Sequence, residues 1–106
     1  MTEHEIQLAC INLIRKRGGI VTRVNSGGTI AKRGGHLSLA EKGTSDLIAC
    51  FGGKYLAIEV KDTGKVATSD QREFGRMVNR AGGIFLVIDD IDKLSRELDL
   101  LERGEQ

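Results

Sequence analysis

Residues 46–61 read DLIACFGGKYLAIEVK, two short β-prone runs on either side of Gly52-Gly53. A glycine pair between such runs supplies the positive φ angles of a tight two-residue hairpin turn. With Phe51 opposite Lys54, Ala49 meets Leu56 and Leu47 meets Ile58, a wholly apolar face that belongs in a core. On the other face Ile48 meets Ala57, and Asp46 falls opposite Glu59. Lys61, two residues beyond Glu59, points to the same side because strand side chains alternate. Two carboxylates and an ammonium therefore converge at the mouth of the hairpin.

The flanking sequence supplies the rest of the fold. Upstream, residues 3–17 carry Ile6, Ala9, Cys10, Leu13 and Ile14 at helical spacing and stop at Gly18-Gly19. Residues 20–25 form a β-branched run, followed by a glycine-rich basic loop to about residue 43. Downstream, 68–81 reads as a helix ended by Gly82-Gly83, 84–88 as an apolar strand, and 91–101 as a last helix. The order α-β-β-β-α-β-α predicts an α/β fold with a small mixed β-sheet flanked by helices, because an antiparallel hairpin precedes a strand-helix-strand crossover. At 106 residues, one domain spanning 1–106 is expected.

Composition excludes several classes. The chain is 40% hydrophobic and 29% charged, the balance of an ordinary globular protein. No apolar run approaches the ~20 residues of a membrane span. The first residues, MTEHEIQ, lack the basic and apolar regions of a secretory signal. Cys10 and Cys50 have no partner at zinc spacing, so a reducing, cytoplasmic compartment is expected. The net charge of +1 hides an asymmetry: residues 15–42 hold seven basic side chains against Glu41 alone. Cations beside flexible glycine backbone suit a phosphate polyanion, which nominates Lys32, Arg33 and Lys42. Asn25, at the end of the first strand, is a further candidate contact to substrate.

Carboxylates directly opposed across a hairpin repel one another. A divalent cation removes that penalty, since Mg²⁺ is commonly held by one or two carboxylates together with waters and phosphate oxygens. An adjacent lysine can orient water or stabilise developing charge. The competing explanation is structural, with Asp46 ending a loop and Glu59 and Lys61 forming an ion pair on an exposed strand.

Three blocks, GTSDLIAC, YLAIEVK and SDQREF, arrive in an order and spacing that resemble the VRR-NUC nucleases, a branch of the PD-(D/E)XK superfamily with a restriction-endonuclease-like core. The likeness runs from Glu5 to about Val87. It implies that Asp46 and Glu59 are metal ligands, that Val60 offers its backbone carbonyl to the metal, and that Lys61 assists the hydrolytic water or the transition state. It also matches a first-helix glutamate with Glu5 and a glutamine after the third core strand with Gln71. Ser45 stands where the superfamily has proline, a departure usual in this branch. The set is similar, too, to archaeal-type Holliday junction resolvases. Mg²⁺, with Mn²⁺ as substitute, would be the cofactor.

Two of these residues have structural explanations as well. Thr68-x-x-Gln71 reads as a capping box, and Glu5 lies in a first helical turn, where any acid is favourable. Asp89, Asp90 and Asp92 sit where a strand gives way to a helix and are better explained by capping than by metal binding. The expected function is structure-specific DNA endonuclease activity at Holliday junctions or other branched DNA, in repair or recombination. The alternative is a non-catalytic nucleic-acid-binding or assembly module on the same fold. Resolving a junction needs two symmetric cuts, so a homodimer is expected, with Ile11, Leu94, Leu98 and Leu101 as interface candidates if the sheet leaves them uncovered.

Overall fold

The computed structural model describes residues 1–24 and 43–104, together with the backbone of 29–32 and 35–38. The elements are α1 (Glu3–Lys16), β1 (Ile20–Arg23), β2 (Thr29–Lys32), β3 (Gly35–Ser38), β4 (Leu47–Phe51), β5 (Lys54–Val60), α2 (Ser69–Arg80), β6 (Ile84–Ile88) and α3 (Ile91–Glu102). Among the described residues, β1, β4, β5 and β6 form one mixed sheet in that spatial order. The first three run antiparallel, and α2 carries the chain across to β6, which lies parallel to β5. The sheet and its helices thus follow the expected order α-β-β-β-α-β-α in a small α/β core.

The β4–β5 register is the one that Gly52-Gly53 dictates, from Phe51↔Lys54 to Leu47↔Ile58. Both glycines have positive φ, 58° and 78°, as a type I′ turn requires. One segment differs from expectation. Within the stretch read as a basic loop, β2 and β3 pair as a separate two-stranded ladder, Thr29↔Ser38 to Lys32↔Gly35. Its four-residue strands sit among glycines and cations and lack the apolar alternation that marks a strand of the main sheet.

Each face of the sheet has its own cover. Leu56, Ile58 and Val60 of β5 join Leu47, Ala49 and Phe51 of β4 in a core closed by α1 and α3. Full burial of each large aliphatic side chain there is worth roughly 1.5–3 kcal/mol. Arg17, at the end of α1, ties the two covering helices together. It pairs with Asp99 at 2.8 Å and Glu102 at 2.9 Å, and lies over the Phe51 ring. Ile11, Leu94, Leu98 and Leu101 are buried in this same core, so the candidate interface residues are spent on covering the sheet. No helix among the described residues is long and apolar enough to cross a membrane.

The opposite face is covered by α2. Here β5 presents Ala57 and Glu59, both buried, while β6 presents Phe85 and Val87. The helix comes close because Gly75 has no side chain: a Cβ at that position would overlap the Phe85 ring. Burial of β5 on both faces is what puts Glu59 out of water. Replacing Gly75 by Ala is expected to cost about 1–3 kcal/mol through overpacking. Denaturant unfolding checks this, and an unchanged midpoint would mean that Phe85 gives way freely.

Candidate metal centre

The site lies where β4 begins and β5 ends. Asp46 precedes the first residue of β4, and its backbone carbonyl accepts from Val24 N–H at 2.8 Å, extending the β1 pairing by one step. Its side chain turns inward, and Oδ2 accepts the Val60 N–H at 2.9 Å. That bond supplies β5 with an acceptor just past the end of the β4–β5 ladder and holds the carboxylate beside Glu59.

Glu59 is 2% exposed. Gln71 Nε2 donates to its Oε2 at 3.0 Å, and Lys61 Nζ stands 4.0 Å from the same oxygen. With Glu59 ionised, Oε1 is buried with no hydrogen-bond partner. Gln71 serves two purposes at once. Its backbone N–H and side-chain Oε1 complete a capping box with Thr68, while its Nε2 orients Glu59. Capping and site geometry are therefore compatible at this residue.

The third carboxylate comes from α1, and it is Glu3. Among the described residues, Glu3, Asp46 and Glu59 each bring a carboxylate oxygen within 4.8 Å of the others. Glu5, the candidate from the same turn, is turned away: its Oε1 accepts from Thr2 N–H at 2.9 Å, and its own N–H donates to Thr2 Oγ1 at 3.2 Å. These bonds to Thr2 hold its pKa below the usual value. Positions two apart on a helix point about 200° apart, so both acids cannot face one site. Thr2-x-x-Glu5 is itself a capping-box signature. The turn is anchored from across the chain, because Glu3 N–H donates to Asp62 Oδ1 at 2.6 Å.

The remaining candidates fall elsewhere. Val60 buries its side chain in the core and gives its N–H to Asp46. Asp90 is the N-cap of α3, accepting from Asp92 N–H at 3.0 Å. Asp89 accepts from Gly64 N–H at 3.1 Å and sits 2.8 Å from Lys93 Nζ, which lowers its pKa. That acidic run thus builds a strand–helix junction. Lys32 belongs to β2, its side chain outside the description, and Asn25, Arg33 and Lys42 lie outside the described residues. No protein-family model matches the chain, and no curated protein matches it.

The donor set fits a hard divalent cation. Three carboxylates converge, one holds a buried oxygen without a partner, and all the convergent ligand atoms are oxygens, the choice of Mg²⁺ and Mn²⁺. Electrostatics point the same way. Burial raises the pKa of Glu59 from 4.5 to about 8, and the hydrogen bond and charge of Asp46 push in the same direction; Lys61 opposes them and Glu3 adds to them. Without metal, the folded chain holds this proton more tightly than the unfolded chain does. The resulting stabilisation is fully present below about pH 4.5 and is lost as pH rises through about 8. The melting temperature of the metal-free protein should therefore fall across that window relative to Glu59→Gln. Mg²⁺ should restore it more at the alkaline end, since carboxylate ligands bind deprotonated. Equal pH profiles for the two proteins would remove Glu59 as the titrating group.

Asp62 should matter through Glu3. Losing a group that orients a ligand typically costs 10–100-fold in metal affinity. Calorimetric Mg²⁺ titration should show a loss of about that size in Asp62→Ala and recovery of most of it in Asp62→Asn, which keeps an acceptor. Wild-type affinity in Asp62→Ala would make the Glu3 anchor irrelevant to the site.

Proposed function

We propose that this protein is a metal-dependent endonuclease that hydrolyses DNA phosphodiesters at Holliday junctions or other branched sites, as its likeness to VRR-NUC nucleases implies. The observation that carries the proposal is the buried Oε1 of Glu59, unpartnered in the ionised form, in a group with two other carboxylates, with Lys61 Nζ 4.0 Å from the other oxygen. A fold stabilised by packing alone has little reason to bury a carboxylate this way, whereas a cation makes that oxygen a ligand.

Asp46 and Glu59 would hold Mg²⁺ or Mn²⁺, joined by Glu3 and the Val60 carbonyl. A metal bound there supplies Lewis acidity to a phosphoryl oxygen and lowers the pKa of bound water. Asp46 is confined by its bond to Val60, which limits where its other oxygen can lie. Gln71 keeps the Glu59 carboxyl in one orientation. Lys61, mostly buried with its ammonium 4.0 Å from Glu59 Oε2, would set its charge beside the reacting phosphate. The cations of the 29–42 segment, Lys32, Arg33 and Lys42, with Asn25, would contact the backbone of DNA, and a homodimer, joined through a surface other than the buried Ile11, Leu94, Leu98 and Leu101, would present two sites for paired incisions.

The test uses labelled four-way junction, flap and duplex DNAs with Mg²⁺ or Mn²⁺. Metal ligation is worth several kcal/mol in the transition state, so Asp46→Ala and Glu59→Ala should each lower cleavage by about 10²–10⁴-fold while the chain stays folded. Lys61→Ala should reduce turnover more than DNA binding. Full activity in either carboxylate variant would overturn the assignment. DNA binding by the wild type without cleavage in either metal would favour the non-catalytic module.

A further inference from the structure

A cleft of about 440 Å³ opens on the α2 face of the sheet, over the strand next to the one that carries Glu59. Its floor includes Phe85 and Val87 of β6. Val87 is the register partner of Glu59, one strand spacing or ~4.8 Å away, and its side chain points to the same face. One wall is Arg72, the residue after Gln71, so the cleft and the carboxylate group share the first turn of α2.

The lining combines two chemistries. Phe85, Val87, Ala67 and Val66 are apolar, and Val66 is 78% exposed, a branched aliphatic side chain on a loop rim. Around them stand three cations. Lys65 is exposed on the loop after β5, and Lys93 projects from α3. Arg72 is steadied by donating to the Ala67 carbonyl at 2.7 Å, a bond that leaves its positive charge uncancelled. The one carboxylate in the lining, Asp89, is already met by Lys93 at 2.8 Å and by Gly64 N–H at 3.1 Å. The balance at the cleft is cationic around an apolar floor. A nucleotide has the complementary form, with a sugar and base that accept apolar contact and a phosphodiester anion beside them.

We propose that this cleft binds the nucleotide that flanks the scissile phosphate on the strand being cut, its sugar or base against Val66 and Phe85 and its phosphate on Lys65 and Arg72. This rests on the nuclease proposal for the neighbouring carboxylates. The cleft would then position the strand over the metal-binding oxygens, so its contribution is to DNA binding and not to the chemical step.

Lys65→Gln and Val66→Asp are exposed substitutions outside the carboxylate group, and thermal melts verify that each variant is folded. Binding of labelled branched DNA is followed by anisotropy in Ca²⁺ at several salt concentrations, and cleavage is followed separately in Mg²⁺. Loss of one phosphate contact in Lys65→Gln should flatten the log–log salt dependence by about 0.9. Val66→Asp, which sets an anion against the phosphate, should weaken binding at least about tenfold. In Mg²⁺ both should raise KM and leave kcat near wild type, the pattern of lost uniform binding. Wild-type affinity and salt slope in both variants would overturn the cleft while leaving Asp46 and Glu59 standing as the cleavage site. If DNA binding depends on Lys65 but neither metal supports cleavage by the wild-type protein, the nuclease reading fails, and the placement beside a scissile phosphate fails with it.

Discussion

The bond from Val60 N–H to Asp46 Oδ2 organises the site. β4 begins at Leu47, so β5 outruns its antiparallel partner by the residues that matter, Glu59 and Val60. A strand that loses its neighbour leaves backbone donors to be satisfied some other way. Here the first residue outside β4 supplies a side-chain acceptor, and in doing so brings a carboxylate beside Glu59. Completing the sheet edge and assembling a charged pair are the same event, so the fold cannot lose one without disturbing the other.

Holding three acids together is costly, and the surroundings offset only part of that cost. The helices α1 and α2 both begin at the site, Glu3 lying in the first turn of one and Gln71 in the first turn of the other. The positive ends of their dipoles favour negative charge by about 0.3–1 kcal/mol each. Lys61 opposes the rise in the Glu59 pKa, and Gln71 gives that residue a donor. What is left is a buried oxygen without a partner and a carboxyl that titrates near neutrality, the condition of a ligand set more than of a structural ion pair. The helices could not close in this way without small residues at their contacts. Gly75 lets α2 lie on Phe85, and Gly43, at φ +81°, lies so close to the backbone of Asp70 that a Cβ would overlap it.

Much of this was legible in the sequence because one local feature propagates. Gly52-Gly53 sets the turn, the turn sets the register, and alternation then places Asp46, Glu59 and Lys61 on one side. At Gln71 the capping box was legible in Thr68-x-x-Gln71, and the structure adds the contact of its side chain with Glu59. Glu5 was the acid read from α1, whereas the structure brings Glu3 to Asp46 and Glu59; the two share one helical turn, and which of them faces the sheet shows only once the helix is packed. The β2–β3 ladder was missed because it stands apart from the core, so no apolar periodicity marks it. Leu94 and Leu98 face the sheet, a direction helical spacing leaves open until the layers are packed.

The central claim is that Glu3, Asp46 and Glu59 share one cation. Crystals of the protein equilibrated with Mn²⁺ at alkaline pH, examined by anomalous scattering, test it most directly. The account predicts a single strong peak with oxygens of all three carboxylates about 2 Å away. An empty site, or an ion bound instead at Asp89, Asp90 and Asp92, would contradict it.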